Sequence, residues 1–122
     1  MKENNIENNK LIAEYMNQPY EEFNGSIALS ESNEGVLYYD PIIYLNYDKD
    51  WSLLMPVVEK IESQGATIVE IWLSLGKGCR ITKGSFKKPI KTIANTESNS
   101  LIEAIYMAVV EYVKWHKINI NK

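Results

Sequence analysis

Apolar side chains recur along this chain with two periods, and the change from one to the other marks out its elements. Between Trp51 and Ile61 the positions Trp51, Leu54, Val58 and Ile61 fall at helical spacing. Leu53, Met55 and Val57 broaden that face, while Glu59, Lys60 and Glu62 mark the wet side. Asp50 suits an N-cap and Gly65 a left-handed stop. Pro56 falls inside this pattern, where it removes a backbone donor and crowds the preceding turn. A helix starting only at Pro56 would strand Trp51 and Leu54, so the pattern predicts a kinked helix from about Asp50 with Trp51, Leu54, Val58 and Ile61 buried.

At Thr67 the period changes to two. Thr67 to Leu75 alternates as a strand, with Val69, Ile71, Leu73 and Leu75 on one face and Ile68, Glu70, Trp72 and Ser74 on the other. Gly76-Lys77-Gly78 reads as a tight turn into a second strand, Cys79 to Lys83. Gly84-Ser85 turns again into a third, Phe86 to Ile93, whose Pro89 points to a sheet edge or a bulge. Ser100 and Glu103 have capping-box spacing and open the longest helix, about Leu101 to Lys117, with Leu101, Ile105, Ala108, Tyr112 and Trp115 in one stripe. Towards the N-terminus a modest helix spans about Asn5 to Met16 and stops at Asn17-Gln18-Pro19. Residues 20–40 carry a weak signal, with short extended pieces at Ser26–Ser30 and Val36–Tyr39 and turns at Gly25 and Gly35. The expected fold is α+β: a three-stranded antiparallel meander packed with two main helices, plus a short N-terminal helix and an irregular arm. One domain over residues 1–122 is expected, divided into 1–17, 18–47 and the 48–122 helix–meander–helix core.

Composition adds little until charge is followed along the chain. The content is ordinary for a globular protein, and no apolar run reaches the roughly 20 residues of a membrane span. The start, MKENNIENNK, is too polar for a signal peptide, which leads to the expectation of a cytoplasmic protein in a bacterial host cell. The net charge is −3, but residues 1–70 hold thirteen acids against four lysines, whereas residues 71–96 hold six cations and no acid. That asymmetry directs attention to the basic segment Lys77, Arg80, Lys83, Lys87, Lys88 and Lys91, with Phe86 among them. Lys87 and Lys91 share a strand face, and a turn at Gly84-Ser85 could bring Lys83 beside them, enough to hold a phosphate or an acidic protein patch. The competing explanation is a solvated edge strand guarded by lysines.

Catalytic groups are sparse. The one cysteine, Cys79, reads as a small buried hydrophobe, and the one histidine, His116, as a partly exposed residue in the last turn of a helix. A zinc site needs three or four ligands, so no metal and no cofactor are expected. The carboxylate pairs Asp48/Asp50 and Glu59/Glu62 are explained by capping and solvation, and Gly76-Lys77-Gly78 lacks the spacing of a phosphate loop. Tyr38, Tyr39, Tyr44 and Tyr47 in the acidic arm serve either as core or as an interface, and an acidic arm beside a basic hairpin would suit a homodimer.

The stretches NKLIAEYM (Asn9–Met16), WSLLMPVVEKIE (Trp51–Glu62) and EAIYMAVVEYVKW (Glu103–Trp115) together resemble a group of small phage- and prophage-encoded proteins of gut Bacteroidetes. In that group an N-terminal helix, an "LMPVVEKIE" helix, a short sheet and an "EAVYKAVVEFIKW"-like helix succeed one another, a layout similar to phage αβα-sandwich domains. The resemblance covers about a third of the chain. It implies a phage setting and a fold, and transfers no activity. The expectation is therefore a non-enzymatic phage or prophage accessory protein that binds a host macromolecule, with a component of antiviral defence as one such target. The alternative is a binder of a small phosphorylated signalling ligand through the Lys77–Lys91 segment. Overall acidity speaks against nucleic acid.

Overall fold

A computed structural model describes residues 2–23, 25–29, 43–65, 67–73, 76–85 and 88–120. In chain order it contains α1 (Lys2–Tyr15), β1 (Tyr20–Phe23), β2 (Ser26–Leu29), α2 (Trp51–Glu62), β3 (Thr67–Trp72), β4 (Lys77–Ser85), β5 (Lys88–Ser98) and α3 (Leu101–Ile120). The fold is α+β, with a two-stranded sheet β1-β2 and a three-stranded antiparallel sheet ordered β3-β4-β5. The meander and its two helices are as the periodicity predicts.

α1 ends by a backbone device. Asn17 adopts φ 56°, the N–H of Gln18 donates to the Ala13 carbonyl and that of Asn17 to the Glu14 carbonyl, closing a Schellman motif. Lys60 reinforces it from α2 by donating its ammonium to the Tyr15 carbonyl. Beyond Pro19 the chain is more regular than an irregular arm. β1 and β2 form a hairpin that turns at Gly25 (φ 74°), and β2 then binds a further extended piece through Leu29 N–H to Ile43 O and Leu45 N–H to Ile27 O. The strand at Ser26–Leu29 was legible, whereas β1, with its charged Glu21-Glu22 pair, was not. The arm is bound to the core because Ile27, Ala28, Leu45 and Tyr47 are buried.

α2 runs unbroken through Pro56. Asp50 caps it, accepting from Ser52 N at 2.9 Å, and Leu54, Val57, Val58 and Ile61 are buried. Pro56 lies on the exposed side, and Ser52, whose carbonyl it leaves without its helical donor, is also an exposed residue. Trp51 departs from expectation: it is 42% exposed, at the first position of the helix, while Leu54 one turn on is fully buried.

In the three-stranded sheet the register pairs Val69 with Ile81 and Ile71 with Cys79, and Ile81 with Ala94 and Cys79 with Thr96. This face carries α3, and Thr96 Oγ1 donates into the helix to the Ala104 carbonyl. Cys79, Ile81 and Ala94 join Ile105, Ala108, Val109, Tyr112 and Val113 in the core cluster. The strands are offset from their predicted bounds. β3 ends at Trp72, Lys77 and Gly78 already belong to β4, and Gly84-Ser85 forms a bulge within β4 instead of a turn. β5 runs to Ser98, five residues beyond Ile93, because Ala94 and Thr96 continue the inward alternation. Pro89 sits in β5, an edge strand, where its missing donor costs least. No helix of the described residues is long and apolar enough to cross a membrane.

A polar clamp joins the two ends of the chain. Asn9, 3% exposed, accepts from the Tyr106 hydroxyl at 3.0 Å and donates to Asp48 at 3.3 Å, and Asn5 donates to Asp48 at 2.9 Å. Burial and the nearby Asp48 carboxylate push the Tyr106 phenol well above its ordinary pKa.

Candidate functional site

The basic segment is spread along the sheet, and Lys77, Arg80 and Lys83 each have a local partner. Lys77 donates to the Asn99 carbonyl at 3.2 Å. Arg80 grips Glu70 across the strand pair with both carboxylate oxygens engaged at 3.0 Å. Lys83 donates to Thr67 Oγ1 at 2.9 Å and to the Gly65 carbonyl at 3.3 Å, and its ammonium lies 6.0 Å from the Trp115 ring centre. Six residues separate Lys77 from Lys83, about 20 Å of strand. These three cations do not converge, and Lys83 is a half-buried anchor whose ammonium is already engaged. Lys91 is exposed and stands in register opposite Lys83. Lys88 belongs to β5, paired with Ser85. Phe86 and Lys87 lie outside the described residues, as do Tyr38 and Tyr39. Of the other arm tyrosines, Tyr47 is 4% exposed and is therefore core, not interface, with burial raising its phenol pKa. Tyr44 is half-buried and bridges to Ala28.

Two other features stand out. The first is β3, which has no strand on its outer side among the described residues. Its Ile68 is 52% exposed and Ile71 41%, and Leu73 just beyond it is 66% exposed. Ile71 and Leu73 belong to the face that the alternation gives to Val69, which is half-buried, yet both are exposed. On the other face Glu70 is neutralised by Arg80, and Trp72 lies directly over Gly78, where an added Cβ would collide with the indole. Thr67–Trp72 contains no lysine and no proline, the usual guards of an open edge, whereas the opposite edge β5 holds Lys88, Pro89 and Lys91.

The second feature is an aromatic cluster where the C-terminal turns of α1, α2 and α3 meet. Tyr15 stands edge-on to His116 at 5.1 Å and to Tyr112 at 6.2 Å, and Tyr112 stacks on His116 at 6.1 Å. The Lys60 ammonium sits 4.4 Å from the Tyr15 ring centre. Burial, then the charges of Lys60 and Lys83, lower the pKa of His116, so it is a neutral half-buried ring and not a cation serving the helix terminus. The hydroxyls of Tyr15 and Tyr112 are buried and interact with each other, and that of Tyr112 also with Thr67. Sequence reading missed this cluster, although Tyr112, Trp115 and His116 at helical spacing were its signal.

Chemistry that needs a nucleophile finds little here. Cys79 is fully buried and its thiol is pushed up to about 12 by desolvation. Among the described residues no group of three His, Cys, Asp or Glu is placed to hold a metal ion. No protein-family model, no curated protein and no solved structure matches this chain.

Proposed function

We propose that this chain is a non-enzymatic binding module, phage- or prophage-encoded, that engages a host protein by presenting the β3 edge to an extended segment of it. The observation that carries this reading is an edge strand that is open and unguarded among the described residues, flanked by exposed Ile68, Ile71 and Leu73. A strand added there would satisfy the outward N–H and C=O groups of β3 and take the alternate side chains into contact, giving both affinity and register. Pairing Glu70 with Arg80 removes the charge that would otherwise oppose such a neighbour. The phage setting rests on the resemblance of the three helices. A role in antiviral defence belongs to the same proposal. The phosphorylated-ligand reading of the 77–91 segment is not favoured, because Lys77, Arg80 and Lys83 are already held by partners of their own.

Photo-crosslinking in the host cell tests it. A photoreactive residue at Leu73 should give a discrete adduct with one host protein, and the adduct should vanish in an Ile68→Lys, Ile71→Lys variant that still melts cooperatively. Adducts that form equally well in that variant, or only between copies of this chain, would sink the reading.

A further inference from the structure

Between α1, the end of α2 and α3 lies a groove of about 350 Å³ lined by Leu11, Glu14, Tyr15, Lys60, Val113 and His116, with Asn17, Gln64 and Lys117 at its margin. This size is within the roughly 300–1,000 Å³ usual for small-ligand sites. Its floor is apolar, made by Leu11, Val113 and the Tyr15 ring. Its polar groups are mostly donors and cations. Lys60 spends one N–H on the Tyr15 carbonyl, and an ammonium has three, so two remain for a ligand. Glu14 is the one acid among the lining residues, against Lys60 and Lys117. Lys83 adds its charge from behind, beyond the Trp115 ring. Tyr15 and His116 meet at 83°, forming a corner of two ring faces against which a flat group can lie.

We propose that this groove binds a small ligand that joins a flat apolar body to an anionic head, a carboxylate or a phosphate. The body packs on Leu11, Val113 and Tyr15, and the head takes the two remaining donors of Lys60 beside His116. The proposal is independent of the β3 edge, which lies elsewhere on the fold. The groups facing His116 are Lys60 from α2, Lys83 from β4, and Tyr15 from α1 with Tyr112 of α3. An anion placed there would offset the two lysine charges, so it should raise the imidazole pKa from its lowered value.

His116 is the only histidine in the chain, so its imidazole is a single reporter in a nitrogen-correlated NMR spectrum. Phenyl phosphate titrated into the full chain should move the His116 signal saturably and shift its pH titration upward. Lys60→Gln should weaken that binding about tenfold or more, as expected for one charged hydrogen bond, and Lys60→Arg should restore most of it. Leu11→Trp, which fills the floor without touching a charge, should block it. Inorganic phosphate should act far more weakly than phenyl phosphate. No saturable movement with phenyl phosphate, full binding by Leu11→Trp, or equal response to inorganic phosphate would each overturn the proposal.

Discussion

Leu54 shows what a single core position carries. It is fully buried in the core cluster on α2's inner face, and truncation to alanine removes its packing there. Leu54→Ala should cost about 2–5 kcal/mol in urea unfolding; a loss below about 1 kcal/mol would mean the site repacks freely. Protonation acts at the same scale. The Cys79 thiol is raised from 9.0 to about 12 by burial, and burial likewise raises the phenols of Tyr15, Tyr106 and Tyr112. Above pH 9 the unfolded chain releases these protons while the folded chain keeps them, so stability is full below pH 9 and falls as pH rises towards 12. Cys79→Ala should move the start of this loss to nearer the ordinary tyrosine pKa of 10.0. An alkaline unfolding profile unchanged by that variant would show that the thiol ionises in the folded state. His116 works in the opposite direction. Its lowered pKa means that the unfolded state takes up a proton first as pH falls through 6.5, so stability drops there.

Among the elements, α2 settles why a proline sits in a helix. The inner face of α2 is complete without Pro56, whose ring is on the exposed side, so the cost is one backbone hydrogen bond that water can replace. Pro56→Ala should therefore raise stability by about 1–3 kcal/mol, read as a higher urea midpoint with an unchanged slope. Destabilisation instead would show that a bend at Pro56 shapes the fit of α2 to the sheet. This helix was legible because spacing and cap agree from Asp50 onward; the expected left-handed stop at Gly65 is not used, since the helix ends at Glu62 with Ser63 as a right-handed C-cap (φ −76°). Trp51 was not, because periodicity assigns a side chain to a face but cannot say whether the core reaches that far along the helix. The same limit applies to Ile71 and to Leu73 just beyond β3: alternation groups them with Val69, but both are exposed. β4 and β5 were found but offset, since Gly76, Gly78 and Gly84 read as turns while Gly78 is in fact the strand position that accepts the Trp72 ring. Of the candidate site, the cations could be read but not their partners: Arg80–Glu70 and Lys83–Thr67 are cross-strand pairs that appear only once register is known.

At the scale of the whole molecule, the N-terminal helix and hairpin are held to the sheet-bearing half by contacts far apart in sequence. The hydrophobic share of that joint is Ile12, Ala13, Ile27 and Tyr47 in the common core cluster. The polar share is the clamp in which Asn9 takes the Tyr106 hydroxyl, 97 positions away, while Asn9 and Asn5 bind Asp48. A buried network of this kind contributes little net energy when complete but is costly when one member is removed, because the others stay desolvated. Tyr106→Phe keeps the ring and deletes only the hydroxyl, leaving Asn9 with a buried acceptor unused. The expected result is a loss of about 1–3 kcal/mol that is uneven across the fold. Amides of α1 should exchange faster with deuterium, because the joint opens before the core does. Amides in β4 and the centre of α3, which are packed around Ile81 and Val109, should slow or quicken only with global stability. Equal acceleration everywhere would mean that α1 and the sheet open as one cooperative unit and that the clamp holds no separate part of the molecule.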